Sequence, residues 1–168
     1  GCTACVTACP RQCIVMRRDR QGFDYPVANP DLCIECGKCE SICPVLNPRQ
    51  ETAELAAFAA RVPEYMDESS SGGVFSYLAR QTVDSEGVVF GAVMNPDMTV
   101  GHSEAETMGD VSAMRGSKYV QSDMYSSFED ARAYLEEGRK VLFTGTPCQI
   151  AGFKAYLGKE YEGLLTAD

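Results

Sequence analysis

A chain of 168 residues is long enough for one ordinary domain or two small ones, and 45 % apolar residues supply material for a core. No stretch reaches the ~18 consecutive apolar residues of a membrane helix, and no signal-type segment opens the chain, so the reading is of a protein without a membrane span. The net charge of −9 is unevenly placed: residues 1–50 carry six Lys/Arg against five Asp/Glu, while residues 51–168 carry nine against nineteen, a balance that repels nucleic-acid phosphates.

The charge shift falls where Pro44, Pro48 and polar residues cluster, near Asn47–Gln50. It divides the chain into a small module, residues 1–48, and a larger domain, residues 49–168. The first residue is Gly1 rather than Met, and Asp168 follows closely on the apolar pair Leu164-Leu165. The sequence therefore reads as a piece of a longer protein at both ends.

Nine cysteines set the chemistry of the first module. The chain opens with Cys2-x2-Cys5-x3-Cys9-Pro10, and Cys33-x2-Cys36-x2-Cys39-x3-Cys43-Pro44 follows. The second run is the full bacterial ferredoxin pattern, and the first matches its last three positions. Three cysteines on a tight loop point their sulfurs at one cubane, while the fourth, ahead of a proline, reaches the other cluster. Crossing the runs assigns Cys33, Cys36, Cys39 and Cys9 to one 4Fe-4S cluster. Cys2, Cys5, Cys43 and a cysteine upstream of Gly1 belong to the other, with Cys13 the alternative fourth ligand. Zinc ribbons also use Cys-x2-Cys units, but as two pairs per site rather than triplets closed by Cys-Pro. Disulfides fit such close spacing poorly, and thiols kept for clusters imply a reducing cytoplasm.

Between the cysteine runs, Ile14–Met16 and Phe23–Val27 read as short strands joined by a turn over Arg17–Gly22, a hairpin whose apolar face packs on the clusters. Glu51–Ala60 has the composition of a helix but also suits a short buried strand. In Glu68–Arg80, serines and glycines precede an apolar periodic run and predict a helix start, which is either an anion site or a plain cap. Gly87–Met94 predicts a buried strand, and Asn95–Asp97 a turn into a second strand at Thr99–His102. His102, the only histidine, reads as structural rather than catalytic. Arg115–Ser122 brings two cations, hydroxyls and a tyrosine together, suiting an anionic group or a surface loop equally.

Phe128–Glu137 predicts a helix closed by Gly138, and Lys140–Thr144 a strand. Gly145–Gln149 reads as a turn, Ile150–Leu157 as a helix and Gly163–Thr166 as a strand. That order is a βαβ unit, whose ligands gather at the carboxyl ends of its strands. Cys148 then falls in the first turn of a helix, where a thiolate is favoured, although free cysteines are as often buried packing residues. The fold class is α+β: a ferredoxin-like two-cluster module followed by an α/β domain with a βαβ unit.

Three segments, Ser69–Ser76, Arg115–Ser122 and Val141–Gly152, taken in this order behind the cysteine runs, resemble the coenzyme F-420 hydrogenase/dehydrogenase beta-subunit family along essentially the whole chain. The resemblance implies an iron–sulfur flavoprotein oxidoreductase that passes electrons between 4Fe-4S clusters and FAD, with hydride transfer to or from an organic acceptor such as a deazaflavin. By carry-over it implies flavin contacts at Ser71, Gly72 and Gly73, at Ser117, Lys118 and Tyr119, and at Thr144, Gly145, Thr146, Pro147 and Gln149. Cys148 becomes the catalytic candidate. The expected partners are a redox protein or a further oxidoreductase subunit, and a small organic electron acceptor or donor. The family extends beyond the position of Asp168, so the flavin site is expected to be incomplete here. The competing expectation is a 4Fe-4S electron carrier or docking module without flavin chemistry.

Overall fold

The computed structural model describes residues 1–48 and 56–168. Among the described residues no helix is long and apolar enough to cross a membrane. Half of the Glu51–Ala60 segment, residues 51–55, lies outside the described residues, and residues 56–60 are irregular and exposed.

The cysteine module is an internal repeat. Helix α1, Ala4–Thr7, and helix α2, Lys38–Ser41, are single turns, each preceded by a left-handed residue: Thr3 at φ 60° and Gly37 at φ 69°. Cys2 precedes the first of these turns and Cys5 lies inside it, as Cys36 and Cys39 do for the second, and Cys9-Pro10 and Cys43-Pro44 close the two units. The backbone thus repeats with the spacing of the motif.

Between them, β1 (Ile14–Arg18) pairs antiparallel with β2 (Asp24–Ala28), Ile14 opposite Ala28 and Arg18 opposite Asp24. The turn is shorter than the sequence suggests. Arg17 and Arg18 stay in the strand, and Asp19 starts the turn by accepting the Gln21 and Phe23 N–H groups at 2.8 and 3.0 Å. Nor does the hairpin lay a whole apolar face on the cysteines. Ile14 is buried, but Val15, Phe23, Tyr25 and Val27 are exposed, because alternate residues of a strand point to opposite faces.

The larger body is a four-stranded sheet in the order β4-β3-β5-β6. Strand β3 (Val88–Met94) is antiparallel to β4 (Val100–Ala105) and parallel to β5 (Val141–Thr144), and β5 is parallel to β6 (Leu164–Ala167). Asp97 Oδ1 accepts both the N–H and the hydroxyl of Thr99, fixing the β3–β4 turn, and β4 runs three residues beyond the expected strand. Helix α3 (Val74–Asp84) and helix α4 (Met108–Val111) cover one face; helix α5 (Ser127–Glu136) and helix α6 (Pro147–Leu157) cover the other.

Alternation along the central strands feeds both faces. Val88, Phe90, Val141 and Phe143 join Phe128, Ala131, Leu135, Ile150, Phe153 and Leu157 on the α5/α6 side. Val89 and Leu142 join Ala79, Val111 and Met114 on the α3/α4 side. Continuous apolar runs such as Val141-Leu142-Phe143 are what a strand covered on both faces requires. The β5–α6–β6 crossover is the expected βαβ unit, though α6 begins at Pro147 rather than Ile150. Proline fits the first helical position, where no N–H is needed.

The module seats on α6. Ala4 is fully buried in the α5/α6 core, with Cys2 and Ile42 packed against it. A Cβ added at Gly152 would stand 2.8 Å from Cys2 Sγ, so only a glycine lets that sulfur lie on the helix.

Candidate metal centres and an adjoining cavity

The fold brings Cys9 to the second cysteine run. Cys9, Cys33, Cys36 and Cys39 line one hollow of about 300 Å³ together with Cys13, Ile14 and Ala28. Cys13 N–H donates to Cys9 Sγ at 3.4 Å and holds the Cys9 thiol below its ordinary value. The Glu35 N–H donates to Cys33 Sγ at the same length. Such N–H···S bonds orient ligand sulfurs and tune the potential of a cluster they bind.

Cys13 stands at this first site, in the same hollow as Cys9, Cys33, Cys36 and Cys39. It is buried with its Sγ 3.4 Å from Cys9 Sγ, and its hydrogen bond to Cys9, burial and the nearby Cys33 push its thiol up to about 11.

Those three are brought together separately. All are half-buried, and burial pushes the Cys2 and Cys5 thiols up, with Cys43 adding in the same direction to each. All nine cysteines are free thiols. Among the described residues no three His, Cys, Asp or Glu side chains close on a point as a single metal ion would demand. The thiol sets suit a cubane, whose ligands stand around its corners.

Beside the Cys2 site lies a cavity of about 560 Å³, bounded by the carboxyl ends of β3 and β5, the first turn of α6 and the loop after α4. Gly116, Lys118, Tyr119, Thr144, Gly145, Thr146, Cys148 and Gln149 all stand on its wall. Segments far apart in sequence are therefore gathered around one cavity. Ser71, Gly72 and Gly73 line a separate hollow of about 180 Å³ that shares Phe75 and Gly116 with the larger one. Ser117 and Pro147 are exposed and line neither.

Several of these side chains already have internal duties. Gln149 is buried; its Oε1 accepts the Thr146 N–H at 2.8 Å, and its amide donates to Ser122 Oγ at 2.8 Å. It locks the start of α6 to the far wall. Arg115 donates to Ser76 Oγ at 3.1 Å and pairs with Glu68, so it ties the loop to α3. Lys118 Nζ donates to the Ala113 and Arg115 carbonyls at 3.0 and 2.8 Å, and burial lowers its pKa. The two cations of this segment thus hold the loop in place, as the surface-loop alternative has it.

Cys148 is exposed, which sets aside the buried-packing alternative; its Sγ lies 3.3 Å from Thr146 Oγ1. His102 is buried on the cavity wall, stacked on Phe143, with Nε2 2.8 Å from the Thr144 carbonyl oxygen and Nδ1 without a partner among the described residues. Burial holds its pKa below the ordinary value, so the neutral ring donates through Nε2–H to Thr144. Phe75, Ala92, Met114 and Gly152 were not singled out in the sequence. Only Gly152 left a trace, as a glycine inside a helix, where it costs about 1 kcal/mol relative to alanine.

A one-turn repeat carrying a cysteine quartet and a cysteine triplet, seated on an α/β body, defines an iron–sulfur protein with a ferredoxin-type module. Residues 1–47 match the family model described as a 4Fe-4S dicluster domain. The chain is 45 % identical over 42 residues to a protein named Ferredoxin 7Fe from Hydrogenibacillus schlegelii, covering 25 % of this chain and 47 % of the relative. It is 34 % identical over 65 residues to a ferredoxin of Rickettsia felis, covering 39 % of this chain and 55 % of the relative. It is also 32 % identical over 88 residues to a ferredoxin of Saccharopolyspora erythraea, covering 51 % of this chain and 78 % of the relative. The chain belongs to the ferredoxin family, and it spans about half the length of the first two of these relatives.

Proposed function

We propose that this chain is the electron-transferring part of an iron–sulfur flavoprotein oxidoreductase of the coenzyme F-420 hydrogenase/dehydrogenase beta-subunit type. Cys9, Cys33, Cys36 and Cys39 would hold one 4Fe-4S cluster, and Cys2, Cys5 and Cys43 take part in holding the second. FAD would occupy the cavity at the carboxyl ends of β3 and β5, where open parallel sheets take their ligands. When bound, the clusters supply one-electron transfer and the flavin converts it to hydride chemistry with an organic acceptor such as a deazaflavin.

The observation that carries this reading is the gathering of Gly116, Lys118 and Tyr119 with Thr144, Gly145, Thr146, Cys148 and Gln149 around one cavity beside the Cys2 site. A volume of about 560 Å³ is in the ordinary range of ligand pockets, ~300–1,000 Å³. The chain's own residues do three things there. Gln149 and Ser122 hold the wall in register, His102 keeps the end of β5 in place, and Cys148 offers a thiol at the mouth. Thiols kept free for clusters fit a reducing cytoplasm, and the partner is a redox protein or a further oxidoreductase subunit.

A second reading, an electron carrier or docking module without flavin, draws support from the internal engagement of Arg115 and Lys118. Iron, sulfide, zinc and flavin content of anaerobically purified protein, with its visible spectrum, separates them. Clusters together with a flavin band are expected. Iron without flavin selects the carrier reading, and zinc without iron overturns both.

A further inference from the structure

Cys13 is the thiol that the ferredoxin spacing leaves over at the first site. A short turn brings it back to Cys9. The Gln12 N–H donates to the Cys9 carbonyl at 3.0 Å, Gln12 stands in the left-handed region at φ 49°, and the Cys13 N–H reaches Cys9 Sγ at 3.4 Å. The two sulfurs end 3.4 Å apart. The contact is made within residues 9–13 and does not depend on the packing of the whole module. The other half of the internal repeat carries no such pair. Asn47 follows Cys43-Pro44 at the place where Cys13 follows Cys9-Pro10. Its side-chain amide donates to the Glu40 carbonyl at 2.6 Å and its backbone N–H to the Cys43 carbonyl at 2.8 Å, so that turn is closed without a thiol. Only the first half sets a buried cysteine against a half-buried one of the quartet.

We propose that Cys9 and Cys13 are a peroxide-sensitive pair that closes to a disulfide whenever Cys9 holds no metal. Hydrogen peroxide oxidises the more accessible Cys9 thiol to a sulfenic acid, releasing one water. The Cys13 sulfur then attacks the Cys9 sulfur; the S–O bond breaks as the S–S bond forms, and a second water leaves. Two thiols and one peroxide thus give one disulfide and two waters. The sulfurs must close from 3.4 Å to the ~2.05 Å of a disulfide, a movement within reach of rotation about the two Cα–Cβ bonds. The bond withholds Cys9 and leaves Cys33, Cys36 and Cys39 as the free thiols of the quartet. It also stops the Cys9 sulfur short of the sulfinic acid, which ordinary thiols do not reverse. A dithiol reductant reopens the pair by exchange and leaves as its own disulfide. Formation of the bond requires no cluster; its effect on iron loading rests on the cluster reading given above.

Peptide mapping tests the pair. The full chain is stripped of iron and reduced, treated with hydrogen peroxide, alkylated at its remaining thiols and digested with trypsin. Cleavage after Arg11 parts Cys9 from Cys13, so the bond appears as residues 1–11 joined to residues 12–17, with fragment ions placing the link at Cys9. This product should exceed every other cysteine pairing several-fold and disappear with dithiothreitol. Cys2 with Cys5, Cys33 with Cys36 and Cys36 with Cys39 are closer in sequence. Equal or greater yields of those bonds would mean that the turn confers no preference, and the proposal fails. A link from Cys13 to Cys33, its other neighbouring thiol, overturns it as well. Cys13→Ala supplies a second readout: Cys9 sulfinic acid should rise several-fold after the same peroxide treatment, and iron taken up after dithiothreitol should fall below that of the unsubstituted chain. Equal sulfinic acid in the two chains counts against the proposal. Iron is counted in the starting protein; its absence there overturns the cluster reading, while the peptide map still decides the pair.

Discussion

The cysteine module and the sheet body are held together by different means. In the body, Phe90, Phe128, Phe143 and Phe153 are almost fully buried, with Phe143 and Phe153 stacked at 4.2 Å between ring centroids. Within residues 1–48 the buried apolar side chains are Ala4, Ala8, Cys13 and Ile14, while Val15, Phe23, Tyr25, Val27, Leu32, Ile34, Val45 and Leu46 are exposed. A unit of that size with so small a core needs another source of order, and its cysteines supply it by binding metal. The body owes its stability to burial, and the module owes its stability to its ligands.

The most drastic way to break this contrast is to take the metal away. Chelation under oxidising conditions should bring amide exchange in residues 1–48 close to that of unfolded chain, leaving β3 and β5 protected. Equal protection in both regions after iron removal would show that the module stands without its clusters. The converse experiment is Phe143→Ala. It empties the centre of the α5/α6 core and should lower the body's unfolding free energy by about 3–5 kcal/mol. Denaturant titration followed by circular dichroism checks the loss, and the cluster absorbance should persist at denaturant concentrations below the new midpoint.

The same contrast explains what could be read in advance. The strands and helices of the body follow from uninterrupted apolar runs and breakers such as Asn95-Pro96 and Gly138, so their order was legible, including the βαβ unit. The thiol sets were legible because a cubane imposes a fixed spacing. What stayed hidden depends on tertiary context. Nothing local told that Arg115 is drawn to Glu68 and Ser76, or that Lys118 turns back on its own loop. Nor could spacing place Cys13 with Cys9 rather than Cys2, since a chain can fold back over separations of 4 or of 11 residues alike.

A milder test addresses the wall shared by body and cavity. His102 is buried with a folded-state pKa below its ordinary value of about 6.5. The unfolded chain therefore binds the proton first on acidification. The contribution of the neutral ring is complete above about pH 6.5 and is lost as pH falls through that value toward the folded pKa. His102→Gln should flatten the stability profile of the body on this acid side while leaving the profile above pH 7 parallel to that of the unsubstituted chain. Denaturation midpoints measured between about pH 5 and 8 decide it.

The smallest expected effect compares the two halves of the module itself. Gly37 and Thr3 occupy matching positions ahead of α2 and α1, both in the left-handed region. Glycine adopts it freely, whereas a β-branched residue there carries strain of order 1–3 kcal/mol. Thr3 Oγ1 is in addition buried without a hydrogen-bond partner among the described residues. Thr3→Gly removes the strain and the orphaned hydroxyl, against about 0.5–1 kcal/mol of added chain entropy in the unfolded state. The net result should be a gain of about 1 kcal/mol in the module, with Gly37→Thr losing a similar amount or more. The check is the denaturant concentration at which cluster absorbance is lost, which should rise for the first substitution and fall for the second, while the circular dichroism transition of the body stays in place. If Thr3→Gly lowers that concentration instead, the threonine hydroxyl has a partner in the loaded protein, and the matching backbone of the two halves conceals a difference in how each holds its cluster.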